Sequence, residues 1–247
     1  MTQDTSFWGR LGKPEQTALL EYTTRDVLPP GDRLIRQRGR SRSVMIILRG
    51  WAAVVSEPDP RPGDPTGPGA NGRLLAFRGE GDIVGDMAGL LNKPRSASLR
   101  ALDEVEVLEL EDTQFKDFLW NHKEAWWTYT EILAERVDEQ TANIHFQKHK
   151  TSMQIPEILV SLVDKVGRSN RDGIWLPYPR TQTELGSLIG ISRESVSSTW
   201  SRLRDDGLVA TRNGRMLILD LEGLRKIYST DENAYALPSG CGDPEGR

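Results

Sequence analysis

The chain has 247 residues, enough for two domains of ordinary size, each with its own core. Its 28% charged and 37% hydrophobic residues are a soluble globular balance, with no apolar run near the ~20 residues of a bilayer span and no secretory signal in MTQDTSFWGR, so a cytoplasmic protein without membrane contact is expected. A net charge of −4 argues against general nucleic-acid coating, and the single cysteine, Cys241, excludes a disulfide framework, a cysteine-built zinc site and an iron–sulfur cluster.

Residues 1–25 read as short helices, with Phe7, Trp8, Leu11, Ala18, Leu19 and Leu20 as packing positions. From Asp26 to Glu111 the pattern changes to short apolar runs punctuated by glycine: VMIILRG, WAAVV, LLAF, IVGDMAGLL and VEVLEL. Such runs predict a compact antiparallel β-structure, sandwich or barrel. The insert EPDPRPGDPTGPG, Glu57 to Gly69, holds five prolines and three glycines and cannot sustain a ladder of strand hydrogen bonds. The 57–72 insert is therefore expected to be a mobile surface loop within a hairpin.

Helical spacing resumes with Phe115, Phe118 and Leu119, and a long helix is predicted from about Lys123 to beyond Gln147. Ile132, Leu133, Val137 and Ile144 give it an apolar stripe, which polar Gln140 and Thr141 interrupt. A narrow stripe on a long helix calls for a partner: a second copy in a two-fold dimer, or the chain's own β-domain. His145 and His149 stand at i,i+4, but in a Lys-rich turn they read as plain surface, and no metal, heme or iron–sulfur cluster is expected. MQIPEILVSLV opens the next helix, with Pro156 expected within its first turn.

Residues 180–209 carry the clearest signal. Leu185, Leu188 and Ile189 form one apolar face, Gly190 permits a sharp turn, Ser192 caps a second helix, and Val196, Trp200 and Leu203 continue at helical spacing. Two short helices so joined read as a helix-turn-helix, whose second helix presents its N-terminal residues to the DNA major groove, or as an ordinary helical hairpin. Between Arg180 and Arg215 six arginines face four acids, reversing the sign of the whole chain. LVATRNGRMLILD then reads as a hairpin turning at Asn213-Gly214, placed where a wing would be. No GxSxG, P-loop or metal-ligand cluster points to an enzyme.

A β-rich N-terminal domain, a long helix and a winged helix-turn-helix together resemble the CRP/FNR family of bacterial transcription regulators, from about residue 26 to residue 220. The most specific N-terminal segment is GDMAGLLNKPRSA, Gly85 to Ala97, which looks like the phosphate-binding cassette of cyclic-nucleotide-binding domains; Gly31, Gly39, Gly50, Gly79 and Gly81 stand where such a domain turns its strands. The resemblance implies an α+β fold: a β-sandwich or jelly-roll sensor domain over 1–122, a long dimerisation helix over 123–152 and a winged helix-turn-helix over 153–230, with 231–247 as a disordered tail. It implies a homodimer on a pseudo-palindrome in double-stranded DNA, with RNA polymerase as a further partner. Arg193 and Glu194 would read a G·C pair in each half-site, since an arginine fork matches guanine and a carboxylate accepts from cytosine N4. Ser198 replaces the second arginine many members carry, so Ser197, Ser198 and Arg202 are candidates for phosphate or substitute base contacts. Thr181, Gln182 and Thr183, with Arg212 and Arg215 at the wing, would grip phosphates.

For the sensor domain the resemblance implies a ligand site made by Gly85, Asp86, Met87, Arg95, Ser96, Gln140 and Thr141. Arg95 would clamp a phosphate and the acid would bond a ribose hydroxyl. Here the acid is Asp86 rather than the usual glutamate, shortening its reach by about 1.3–1.5 Å, and Gly89 stands where a larger apolar residue is usual. A cyclic mononucleotide, a cyclic dinucleotide and no ligand at all stay open. In the last case Arg95 would pair with Asp86 inside a vestigial cassette and the chain would bind DNA without a ligand. A nucleotide sensor acting through protein contacts is a further alternative.

Overall fold

A computed structural model describes residues 6–57, 73–146 and 151–232. The chain starts with α1 (Phe7–Arg10) and α2 (Lys13–Leu20), followed by β1 (Thr24–Leu28), β2 (Arg33–Ile35), β3 (Ser43–Arg49), β4 (Ala52–Ser56), β5 (Arg73–Arg78) and β6 (Ile83–Val84). A one-and-a-half-turn helix α3 (Asp86–Leu91) precedes β7 (Ser98–Ala101) and β8 (Val105–Glu111). These strands form two four-stranded sheets, ordered β1-β8-β3-β6 and β2-β7-β4-β5, every described pairing antiparallel. The insert's strand ends pair directly, Ser56 opposite Arg73; most of the insert lies outside the described residues.

Period-two alternation explains the layering. On β3, Met45 and Ile47 point between the sheets, where they meet Ile35, Ala52, Leu99, Ala101 and Val107. Val44 and Ile46 point the opposite way, into a core with Phe7, Leu19, Phe115, Phe118 and Leu119. That second core is closed by α4 (Asp112–Asn121) and α5 (Lys123–Phe146). Phe7, Phe115 and Tyr129 meet there edge to face, with ring centroids 5.5–6.2 Å apart. Leu20 departs from its expected packing role and is exposed, because the helix turns Leu19 inward in its place.

The apolar stripe expected on α5 divides between two faces. Ala125, Tyr129 and Ile132 are buried against the β-domain, with Leu133 packed beside them, whereas Val137 is 63% exposed. Ile144 lies where side chains fall outside the description, as do His145 and His149.

The C-terminal part comprises α6 (Thr151–Val166), β9 (Arg168–Asn170), β10 (Gly173–Trp175), α7 (Gln182–Ile189), α8 (Arg193–Asp205), β11 (Val209–Arg212), β12 (Arg215–Ile218) and α9 (Leu221–Glu232). Helix α6 starts early enough to put Pro156 in its second turn, not its first; the apolar Ile155, Ile158, Leu159 and Leu162 bury one side and hold it there. The wing turns at Asn213 and Gly214, with φ of 51° and 72°, as a two-residue primed turn requires. A second hairpin, β9–β10, extends the wing into a four-stranded sheet, β11-β12-β10-β9.

This unit packs on the outer face of the second sheet. Ala53, Val55 and Leu102 share one core with Leu159, Tyr178, Leu188 and Trp200. The Lys165 ammonium sits 4.6 Å from the Trp51 ring and 5.1 Å from Phe77, and the Arg100 guanidinium 5.6 Å from Tyr178.

Candidate functional site

A cavity of about 440 Å³ opens between α3, β5 and the start of β7. Its wall is largely apolar, with Ile35, Val54, Leu75, Val84 and Leu99, while Arg73, Arg78 and Arg136 bring positive charge to it. Gly85, Asp86, Met87, Arg95 and Ser96 all line it, so the structure brings these five sequence candidates together. Gln140 and Thr141 lie on α5 where side chains fall outside the description.

Asp86 and Arg95 are each only 3% exposed, and both are engaged within the protein. The Asp86 carboxylate accepts from the Tyr129 hydroxyl at 2.7 Å and from Arg136 Nη1 at 3.0 Å. Arg136 also donates through Nη2 to the Ile83 carbonyl. Arg95 donates through Nε and Nη2 to Ser41 Oγ, at 3.2 and 3.1 Å, and to the carbonyls of Gly85 and Ser43. The internal Asp86–Arg95 ion pair of the vestigial alternative is therefore not formed. The first turn of α3 points the short aspartate at α5, while Arg95 folds into the β2–β3 loop among carbonyls. Burial lowers the Arg95 guanidinium from its ordinary value, opposed by the charges of Asp86, Asp112 and Glu109. The Tyr129 phenol is pushed well above the tyrosine range, by burial first and then by the Asp86 charge and hydrogen bond.

Two glycines here are required by contact. A Cβ on Gly85, whose φ is 78°, would lie 2.7 Å from Arg95 Nη1 and 2.9 Å from the Ser43 carbonyl oxygen. A Cβ on Gly89 would lie 2.5 Å from Asp112 Cβ, so the larger apolar residue usual in the family has no room against α4.

The second candidate surface is the outward face of α8. Ser192 caps the helix by accepting from the Ser195 amide at 3.2 Å. Val196, Thr199, Trp200 and Leu203 are buried, and Trp200 Nε1 donates to Thr211 Oγ1 on the wing at 3.1 Å. Arg193, Glu194, Ser197, Ser198 and Arg202 all face outward and are exposed. The Glu194 carboxyl is held below the ordinary glutamate range by its own backbone amide and by Ser192. Thr181 caps α7 in a reciprocal box with Glu184, with Gln182 and Thr183 in the first turn. At the wing, Arg212 pairs with Asp172, and the guanidinium of Arg215, like that of Arg168, lies 5.7 Å from the Trp175 ring.

Arg136 and Tyr129 were absent from the sequence-derived candidates. Their signal lies in the helix period: Tyr129, Ile132 and Arg136 fall at i, i+3 and i+7, so an arginine lies on the buried face of α5. Arg73 and Arg78 could have been found from their place on a strand beside the cassette. Among the described residues no group of three or more His, Cys, Asp or Glu is arranged to hold a metal ion, and no helix is long and apolar enough to cross a membrane.

The comparisons agree with this anatomy. The cyclic nucleotide-binding domain family matches residues 25–122 and the Crp-like helix-turn-helix domain family matches residues 157–227, together about two thirds of the chain. This architecture defines a transcription regulator with a sensor-type β-domain and a DNA-binding head. The chain belongs to the CRP/FNR family. It is 23% identical over 219 residues to the cAMP-activated global transcriptional regulator CRP of Salmonella typhimurium, covering 85% of this chain and 97% of that protein. A CRP-like cAMP-activated global transcriptional regulator of Mycobacterium tuberculosis is 22% identical over 162 residues, covering 64% and 71%. Among solved structures, the c-di-GMP responsive global regulator CLP of Xanthomonas campestris has the same fold, with TM-score 0.67, 18% identity, and 84% of this chain and 99% of that chain covered. So has a CRP-family transcriptional regulator from Thermus thermophilus, with TM-score 0.65, 23% identity, and 83% and 96% coverage.

Proposed function

We propose that this chain acts in the cytoplasm as a homodimer on a pseudo-palindromic operator in double-stranded DNA, with residues 1–122 as sensor, 123–152 as dimerisation helix and 153–230 as DNA-binding head. The observation that carries it is the division of α8: an apolar side anchored by Trp200, and an outward side presenting Arg193, Glu194, Ser197, Ser198 and Arg202. Arg193 forks onto guanine and Glu194, ionised at neutral pH, accepts from cytosine N4. Thr181, Gln182, Thr183, Arg212 and Arg215 hold phosphates on either side.

The dimer is supported by the outward side of α5. Trp127, Thr130, Ala134 and Val137 follow three-and-four spacing and are exposed, as a two-helix seam requires. RNA polymerase is the further partner the regulatory role implies. In this reading Arg193→Ala weakens operator binding by about 1–3 kcal/mol and relaxes discrimination at one base pair per half-site. Fluorescence anisotropy against the operator and its single-base variants measures both; an unchanged affinity for the operator refutes the assignment.

The ligand proposed for the 440 Å³ cavity is a cyclic nucleotide, mononucleotide or dinucleotide, drawn by Arg73, Arg78 and Arg136. To clamp its phosphate, Arg95 must exchange the Gly85 and Ser43 carbonyls for phosphate oxygens. The internal satisfaction of Asp86 and Arg95 favours a second reading, a ligand-independent DNA binder whose β-domain is a scaffold. Calorimetry with cyclic AMP, cyclic GMP and c-di-GMP separates the two: heat abolished by Arg95→Met supports the sensor, and silence with all three supports the scaffold.

A further inference from the structure

No Asp or Glu occurs between residues 33 and 56, yet five arginines fall within ten positions there: Arg33, Arg36, Arg38, Arg40 and Arg42. In a chain with an excess of acid this is the densest local concentration of positive charge, and the nucleotide cavity absorbs none of the five. The β2–β3 loop, which carries all of them but Arg33, is fixed by its backbone. Arg38 N donates to the Arg95 carbonyl at 2.8 Å, Arg95 N to the Gly39 carbonyl at 3.1 Å, and Asp112 N to the Arg42 carbonyl at 2.8 Å.

Beside this loop lies a second cavity, about 290 Å³, lined by Arg40, Ser41, Arg42, Asn92, Lys93 and Asp112 among others. It shares Ala88 with the nucleotide cavity but otherwise lies on the other side of α3. Its three cations are exposed, and among the described residues neither Arg40 nor Lys93 has an ion-pair partner. Arg42 reaches only the Asn92 side-chain oxygen, at 3.5 Å. The one carboxylate in the wall, Asp112, is 4% exposed and already faced by Lys116 at 3.6 Å.

Ser41 adds a directed donor. Its oxygen accepts from both Nε and Nη2 of Arg95, so its own proton must point away from that guanidinium. Two guanidinium forks, an ammonium and a hydroxyl around a polar cleft match the charge and the many oxygens of linked phosphates better than a single carboxylate.

We propose that this cleft is a second anion site, taking a diphosphate or longer phosphate chain, either free or as the tail of a nucleotide. A ligand there bonds Ser41, which holds Arg95, so its occupancy is felt at the cassette without entering the nucleotide cavity.

The test is titration calorimetry of the full-length chain with sodium pyrophosphate at constant ionic strength, with ATP in a parallel arm. Saturable binding with one site per chain is expected, weakened about tenfold by Arg40→Gln or Lys93→Gln alone and lost in the double variant. Lys13→Gln, elsewhere on the surface, should leave it unchanged, and thermal melts check that each variant is folded. ATP binding with the same variant sensitivity supports a nucleotide tail, and pyrophosphate binding alone supports the free anion. Absence of heat at millimolar pyrophosphate overturns the proposal, as does binding indifferent to Arg40 and Lys93. So does a result in which these variants change only the salt dependence of DNA binding, which would assign the loop to the DNA backbone.

Discussion

Replacing Arg136 with Met removes the cation facing Asp86 while keeping a side chain that spans from α5 to the cavity wall. Asp86 is 3% exposed and would keep only the Tyr129 hydroxyl, at 2.7 Å. Two unit charges about 4 Å apart interact by roughly 4 kcal/mol at an effective dielectric of about 20, and removing one member of a buried pair costs about 3–5 kcal/mol. The Arg136 side chain is itself 14% exposed, so water offsets part of this, and a loss of about 3 kcal/mol is expected. Asp86→Asn keeps an acceptor for both donors and removes the charge, for an expected loss of about 1–2 kcal/mol. Because both changes disrupt the same contact, Arg136→Met in the Asp86→Asn background should cost about 2 kcal/mol less than in the parent. Urea unfolding followed by far-ultraviolet circular dichroism, at one fixed protein concentration, gives all four free energies. Additivity within about 0.5 kcal/mol would show that the two groups do not share an interaction, and would refute the reasoning.

Gly89→Ala drives a methyl to within 2.5 Å of Asp112 Cβ, so α3 or α4 must shift; a loss of about 1–3 kcal/mol is expected in the same unfolding assay, and an unchanged midpoint would contradict the contact. Tyr129 supplies a pH signature. Its folded-state pKa lies above the ordinary 10.0, so its stabilising effect is complete below pH 10 and declines as pH rises further, where the unfolded chain loses the phenolic proton and the folded one keeps it. Tyr129→Phe should therefore flatten the fall in stability above pH 10; an unchanged alkaline slope would show that this phenol is not the group responsible.

The winged helix-turn-helix was legible because its determinants are local. Ser192, Gly190 and the spacing of Val196, Trp200 and Leu203 each act within one or two turns, and Asn213-Gly214 specifies its own turn. The alternating strands were legible for the same reason. The internal engagement of the cassette was not, because Asp86 finds Tyr129 and Arg136 at sequence separations of 43 and 50, and nothing near Asp86 names them. Arg95 was expected as a phosphate ligand from the resemblance of Gly85 to Ala97 to a phosphate-binding cassette, whereas its orientation depends on Ser41 and on two carbonyls of other elements. Strands β9 and β10 escaped notice because three residues each, polar in the first, leave no alternation to detect. The Thr181–Glu184 box, by contrast, was written in the sequence as Thr-x-x-Glu.

The second sheet divides its labour by side-chain parity. Along β4 and β5, Val54, Arg73, Leu75, Ala76 and Arg78 look into the cavity, while Ala53, Val55, Leu74 and Phe77 look at the DNA-binding head. A bulge between Val54 and Val55 lets Leu75 and Ala76 share one side without disturbing the rest. Deleting Leu74 or Phe77 would turn the neighbouring guanidinium group, Arg73 or Arg78, toward the head, whereas deleting Leu75 would only remove the bulge. Changes of length confined to 58–72 leave that parity intact, so evolution can lengthen or trim the connection between the strands freely while their phase stays locked.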